Sequence, residues 1–128
     1  MPITWTISED DRFVSACAQG LVTLQDVEAL LDDIVVKDAL TYRKLFDGRD
    51  AVGKYDDNDV LLLGARISAY NSLNLTGAAA IVVGNQEQFD VALRFANIGK
   101  AKRPVRVFYS PEEARAWLDT NPQLDETP

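Results

Sequence analysis

An α/β fold is predicted: a five-stranded, mostly parallel sheet with one antiparallel edge strand from an N-terminal hairpin, and four helices. Three observations predict it. Ile3, Trp5 and Ile7 alternate with Thr4, Thr6 and Ser8 ahead of the polar turn Glu9-Asp10-Asp11-Arg12, and Phe13 to Gln19 follows as a second strand, so the chain opens on a hairpin. Helix-period segments then separate the later strands, which requires crossover connections and hence parallel pairing. Ala78 to Val83 is apolar on both faces, the mark of a central strand covered on both sides.

The elements follow in order. Gly20 is expected to end the second strand, and Thr23 to cap the first helix with Asp26 at its third position. Leu24, Val27, Leu30, Leu31, Ile34 and Val35 form the inward stripe of that helix, while Gln25, Glu28, Asp32 and Asp33 are expected to face water. Tyr42 to Asp47 is the third strand, followed by an acidic loop from Gly48 to Asp57. Asp56, Asp57, Asn58 and Asp59 open the second helix, where unpaired N–H groups and the helix dipole favour negative charge. Its apolar residues, from Val60 and Leu63 to Tyr70 and Leu73, cover well over half the circumference, more than packing on a sheet needs.

Gly84 ends the fourth strand, and Asn85 caps a third helix with Gln88 reaching back. Phe89, Val91, Ala92, Leu93, Phe95 and Ala96 make a second broad apolar arc, and Gly99 closes the helix. Lys100, Lys102, Arg103 and Arg106 cluster around Pro104 at the start of the last strand, Val105 to Tyr109. Ser110-Pro111-Glu112-Glu113 then reads as a helix start with cap, proline at the first helical position and Glu at the third; Ala114, Trp117 and Leu118 turn inward. Residues 1–119 are read as one domain and 120–128 as a flexible acidic tail.

Composition narrows the function. With 20 acidic against 13 basic residues and a net charge of −7, the long-range field repels phosphate backbones, so no nucleic-acid partner is expected. The 128 residues include no histidine, which removes Ser-His-Asp and Cys-His catalysis and the usual zinc sets. The expectation is a protein that is not an enzyme and uses no cofactor. Cys17 is the single cysteine, so no internal disulfide forms. Met1 to Trp5 lacks the pattern of an export signal, and no apolar run approaches the roughly 20 residues of a transmembrane segment, so a cytoplasmic location is expected.

The strand and helix order, with Gly20 before the first helix, Asp47 ending the third strand and the closing Ala114-Arg115-Ala116-Trp117-Leu118, resembles the SpoIIAA-like family, in which STAS domains and CRAL-TRIO lipid-transfer domains are grouped by fold. That resemblance implies a small regulatory or carrier module. STAS antagonists carry a phosphorylatable hydroxyl just past the third strand; the matching stretch here, Asp47 to Gly53, has none, so that switch is not carried over. The lipid-transfer relatives enclose an apolar ligand, and this shorter chain is expected to offer at most a shallow groove.

Two functions follow as expectations. The preferred one is a regulatory or protein-interaction module, a homodimer joined through the second and third helices or a binder of another protein, with Leu63, Ile67, Phe89 and Phe95 on the faces involved. The alternative is a small carrier of a fatty acyl or other apolar ligand, acting at a membrane surface, with Arg66, Tyr70 or the Lys100 to Arg106 segment, Lys102 and Arg103 within it, addressing the polar end. Arg66 projects toward the apolar arc of the second helix and, if buried, needs an anion such as Asp47 or a ligand carboxylate. Asp47 and Arg49, at the carboxyl end of a strand, complete the candidate set.

Overall fold

The computed structural model describes residues 2–73, 77–99 and 104–122. Strands β1 (Ile3–Ser8), β2 (Phe13–Thr23), β3 (Arg43–Lys54), β4 (Ala79–Val82) and β5 (Val105–Phe108) lie in chain order across one sheet. β1 runs antiparallel to β2 and every other neighbouring pair is parallel. The helices are α1 (Leu24–Val36), α2 (Asp57–Ser72), α3 (Gln86–Gly99) and α4 (Pro111–Asp119). Among the described residues, no helix is long and apolar enough to cross a membrane.

Strands in chain order force the layering. Each right-handed crossover moves one strand further in the same direction, so α1, α2 and α3 fall on one face of the sheet. α4, which follows the last strand, covers the other: Ala114 and Leu118 are buried against Phe13, Ala80, Val82 and Phe108. Alternation along each strand divides the side chains between these layers, and Val14, Ala16, Leu30 and Ile34 belong to the α1 side.

The expected caps form. Thr23 and Asp26 make a reciprocal capping box at α1. Asp56 and Asp59 exchange backbone-to-carboxylate bonds of 2.9 and 3.2 Å at the start of α2, so these acids close a helix end. Asn85 accepts from the Gln88 N–H, and Ser110 from the Glu113 N–H.

Two boundaries differ from the sequence reading for one reason. Gly20 does not end β2, and residues 48–54 are not a loop: both strands continue and pair with each other, Gln19 with Asp50 through Thr23 with Lys54. The register slips between Cys17–Asp47 and Gln19–Asp50, a bulge that bends the ribbon away from the sheet. Gly20 belongs to that bend, at φ 75°, a conformation costing a residue with a side chain about 1 kcal/mol or more. Glycine here permits a bend inside a strand instead of stopping it.

On the acidic face of α1, Asp32 is exposed as expected and Asp33 is half-buried, and both are paired. Asp33 accepts a 2.7 Å bond from the Trp5 indole and pairs with Lys37, and Asp32 pairs with Arg66 of α2. The last residues of the expected acidic tail, 123–128, lie outside the described residues.

Candidate functional site

Between the sheet and the three helices lies a cavity of about 550 Å³. Its origin is local. Ala16, Ala18, Gly48 and Ala79 lie on the sheet floor beside the larger Phe46 and Ile81, and their short side chains leave room beneath the helices. A well-packed interior fills roughly three quarters of its volume with atoms, and larger residues at these positions would have done so here. Leu30 of α1, Leu63 and Ile67 of α2, and Ala92 and Phe95 of α3 form the apolar roof. The sequence reading expected at most a shallow groove; the structure has a space of about 550 Å³ that is partly open to solvent.

The bent β2–β3 ribbon forms one end wall through Ala51, Val52 and Gly53. Tyr55 folds back over Gly53, so closely that a Cβ there would lie 2.7 Å from the ring. Its ring stands edge-on to Phe95 at 6.4 Å between centroids, and burial raises the phenol above its ordinary pKa, keeping it protonated. Gln88 holds the ribbon in place: its amide nitrogen donates to the Arg49 and Ala51 carbonyls, and its amide oxygen accepts from the Gly84 N–H. The sequence reading gave Gln88 a role only within its own helix cap.

Lys44 is the most deeply buried of the charged groups on the wall, which Asp47, Asp56, Asp57, Glu87 and Arg94 also line. It is 3% exposed, lines the cavity from β3, and its ammonium donates to the carbonyls of Leu40 and Tyr42. Lysine is almost never this deeply buried without a specific arrangement around it.

Of the residues singled out from the sequence, the fold brings Leu63, Ile67, Tyr70 and Phe95 together on the cavity wall, with Asp47 bordering it. Asp47 does not serve Arg66. It forms a two-pronged pair with Arg49, at 3.0 and 2.9 Å, and those bonds hold its carboxyl below the ordinary carboxylate range. Arg66 lies outside the cavity, donating to the Tyr70 hydroxyl and to Asp32. Phe89 is turned elsewhere, stacked on Tyr109 with ring centroids 5.6 Å apart. Lys102 and Arg103 lie outside the described residues; Arg106 sits over the Phe108 and Trp117 rings on the α4 side.

The sequence reading missed Lys44 and Tyr55. A signal for Lys44 existed: Tyr42, Lys44 and Phe46 share one face by strand alternation, so the lysine had to point where its neighbours are buried. Tyr55 carried no such mark, because its segment reads as loop. Among the described residues, no group of three or more His, Cys, Asp or Glu side chains is placed to hold a metal ion. What the arrangement can do is bind: it offers largely apolar walls with two cations, Lys44 and Arg94, four carboxylates, Asp47, Asp56, Asp57 and Glu87, and two phenols, Tyr55 and Tyr70.

No family model matches the chain, and no curated protein matches it. Among solved structures, the chain is similar to an uncharacterised protein of the DUF3478 family with a SpoIIAA-like fold from Shewanella loihica PV-4. The two are 20% identical, the TM-score is 0.59, and the match covers 91% of each chain. The fold of the chain is thus SpoIIAA-like, as the order of its elements predicted.

Proposed function

We propose that this protein is a non-catalytic carrier or sensor that binds one small apolar or amphipathic molecule of the acyl-chain class between the sheet and α1, α2 and α3. The observation that carries the reading is the cavity itself. Its volume falls within the roughly 300–1,000 Å³ of small-molecule sites, and it is apolar with a few polar groups, the usual balance of such sites. Left empty, the lining forfeits its dispersion contacts; an apolar guest restores them. Native mass spectrometry on protein purified from cells is expected to reveal a bound mass that denaturation releases. Finding none, together with no thermal shift from a series of fatty acids and alcohols, would sink the reading.

A second reading rests on α2. Leu62 and Leu73 are 54% and 66% exposed and share a stripe with the exposed Ala65 and Ala69, so the outer face of this helix is apolar. α3 keeps less in reserve, since Ala92 and Ala96 are buried and Phe89 and Phe95 pack on Tyr109 and Tyr55. Self-association through a helix, if it operates, therefore uses α2. Light scattering at micromolar concentration tests it: a dimer that Leu62→Glu converts to monomer supports the reading, and a monomeric wild-type protein removes it.

A further inference from the structure

We propose that two copies of this chain join edge to edge through β1, paired antiparallel about a two-fold axis at Trp5. β1 borders the sheet, with β2 as its neighbour on one side. The Gln19 N–H donates to the Pro2 carbonyl, which fixes the alternation. The backbone groups of Thr4, Thr6 and Ser8 therefore face β2, and those of Ile3, Trp5 and Ile7 face outward. Among the described residues, nothing is hydrogen-bonded to that outward row.

A free edge is a template for another strand, and proteins blunt it with charge, proline, a bulge or short length. The opposite border is blunted: β5 has four residues, follows Pro104 and exposes Arg106. Where β3 has left β4 it carries Asp50 and Lys54, and the Gln88 amide occupies the Arg49 and Ala51 carbonyls. β1 has six residues without a charge or a proline, and its register runs unbroken from Ile3–Ala18 to Ser8–Phe13. It is an open edge.

The sequence of that edge selects a second copy as the occupant. Ile3-Thr4-Trp5-Thr6-Ile7 reads the same in both directions, so an antiparallel register centred on Trp5 sets Ile3 against Ile7 of the partner subunit and Thr4 against Thr6 of the partner subunit. No charges are brought together. Because Ile3, Trp5 and Ile7 turn their backbone groups outward, theirs are the pairs that exchange both N–H···O bonds, and the threonines form the closer pairs between them. The same three side chains belong to the core beneath α1, so the pairing makes the two cores continuous along one face, while Thr4 and Thr6 stay on the exposed face. Such a contact is isologous and closes on itself. It uses neither the cavity nor the outer face of α2.

Thr4 and Thr6 are exposed and lie opposite the uncharged Cys17 and Ser15 within the subunit, so charge there is tolerated by a monomer and not by the dimer. By sedimentation equilibrium from low micromolar to submillimolar concentration, the wild type is expected to double its mass. The double variant Thr4→Lys, Thr6→Lys is expected to stay monomeric, and so is Thr4→Glu, Thr6→Glu, each setting like charges directly opposite. Mixed in equal amounts, the two are expected to associate as a heterodimer, and Leu62→Glu is expected to remain a dimer. A dimer lost in Leu62→Glu belongs to α2 and overturns the proposal, as does a dimer that both charged variants retain or a mixture that does not associate. A monomeric wild type overturns it together with the α2 reading and leaves the cavity reading standing. Where a charged variant does not fold, amide exchange on the wild type decides: the Trp5 and Ile7 N–H groups are expected to exchange more slowly as concentration rises, and exchange independent of concentration overturns the proposal.

Discussion

Arg66 of α2 reaches Asp32 of α1 at 2.6 Å while its Nε donates to Tyr70, so one guanidinium joins two of the three helices that roof the cavity and orients a phenol on its wall. The Asp32 side chain is 66% exposed, and water screens the pair. Asp32→Ala is accordingly expected to cost only about 0.2–1 kcal/mol, less than about 5 °C in Tm. Its larger effect should be kinetic: with the seam loosened, a bound ligand leaves faster at nearly unchanged stability. Stopped-flow displacement against a urea titration separates the two. A large stability loss with an unchanged off-rate would show that the pair holds the fold and not the roof.

Filling the floor should reverse the usual relation between stability and function. Ala79 is buried on β4 and lines the cavity, so Ala79→Leu places its added carbons in open space rather than against packed atoms. Stability is expected to rise by about 0.5–2 kcal/mol, as for other cavity-filling changes, while ligand binding is lost. Denaturant unfolding and probe displacement on the same sample provide the check. A variant that is destabilised and still binds would mean that the space at Ala79 is not part of the site.

The architecture was legible in the sequence because it depends on periodicity: alternation in β1, helix-period stripes, and caps at Thr23, Asp56, Asn85 and Ser110 are all local. What escaped is tertiary. Residues 48–54 contain two glycines and read as loop, and only pairing with Gln19–Thr23 makes them strand. The cavity is an absence of volume shared by Ala16, Ala18, Ala79 and Ala92, residues distributed over β2, β4 and α3, and no single window contains it. Lys44 could have been found as the one charge on a buried strand face.

Acid should weaken the link between β1 and α1. The Trp5 indole bond and the Lys37 pair hold the Asp33 carboxyl below its ordinary pKa in the folded state. The unfolded chain therefore takes up this proton first as pH falls. The contribution is complete above the unfolded value of about 4 and disappears as pH drops through the lower folded value. Trp5→Phe removes the main cause. Its stability deficit relative to wild type is expected to be larger at pH 7 than at pH 2, measured by urea unfolding at both. A deficit that does not change with pH would assign the loss to packing of the ring alone.

Gln88 is the strongest test of how the ribbon closes the cavity. One side chain serves three backbone groups, accepting from Gly84 N–H at 2.7 Å and donating to Arg49 and Ala51 carbonyls at 3.1 and 2.9 Å. The last two lie where β3 has left β4 and pairs only with β2, so Gln88 is what ties the ribbon to α3. Gln88→Ala frees all three groups and is expected to cost about 1–3 kcal/mol where they stay partly shielded from water. Gln88→Glu is more discriminating. It preserves size and the acceptor for Gly84, yet turns a carboxylate toward two carbonyl oxygens that need a donor. It should release the ribbon more completely than alanine does, raising amide hydrogen exchange at Ala51, Val52 and Gly53 while that of Val82 stays near wild type. Lowering the pH toward the ordinary range of a glutamic acid returns a proton to that oxygen and should restore protection in Gln88→Glu but not in Gln88→Ala. Equal exchange in all three proteins would mean that the ribbon is held by its ladder with β2 and that Gln88 only caps its helix.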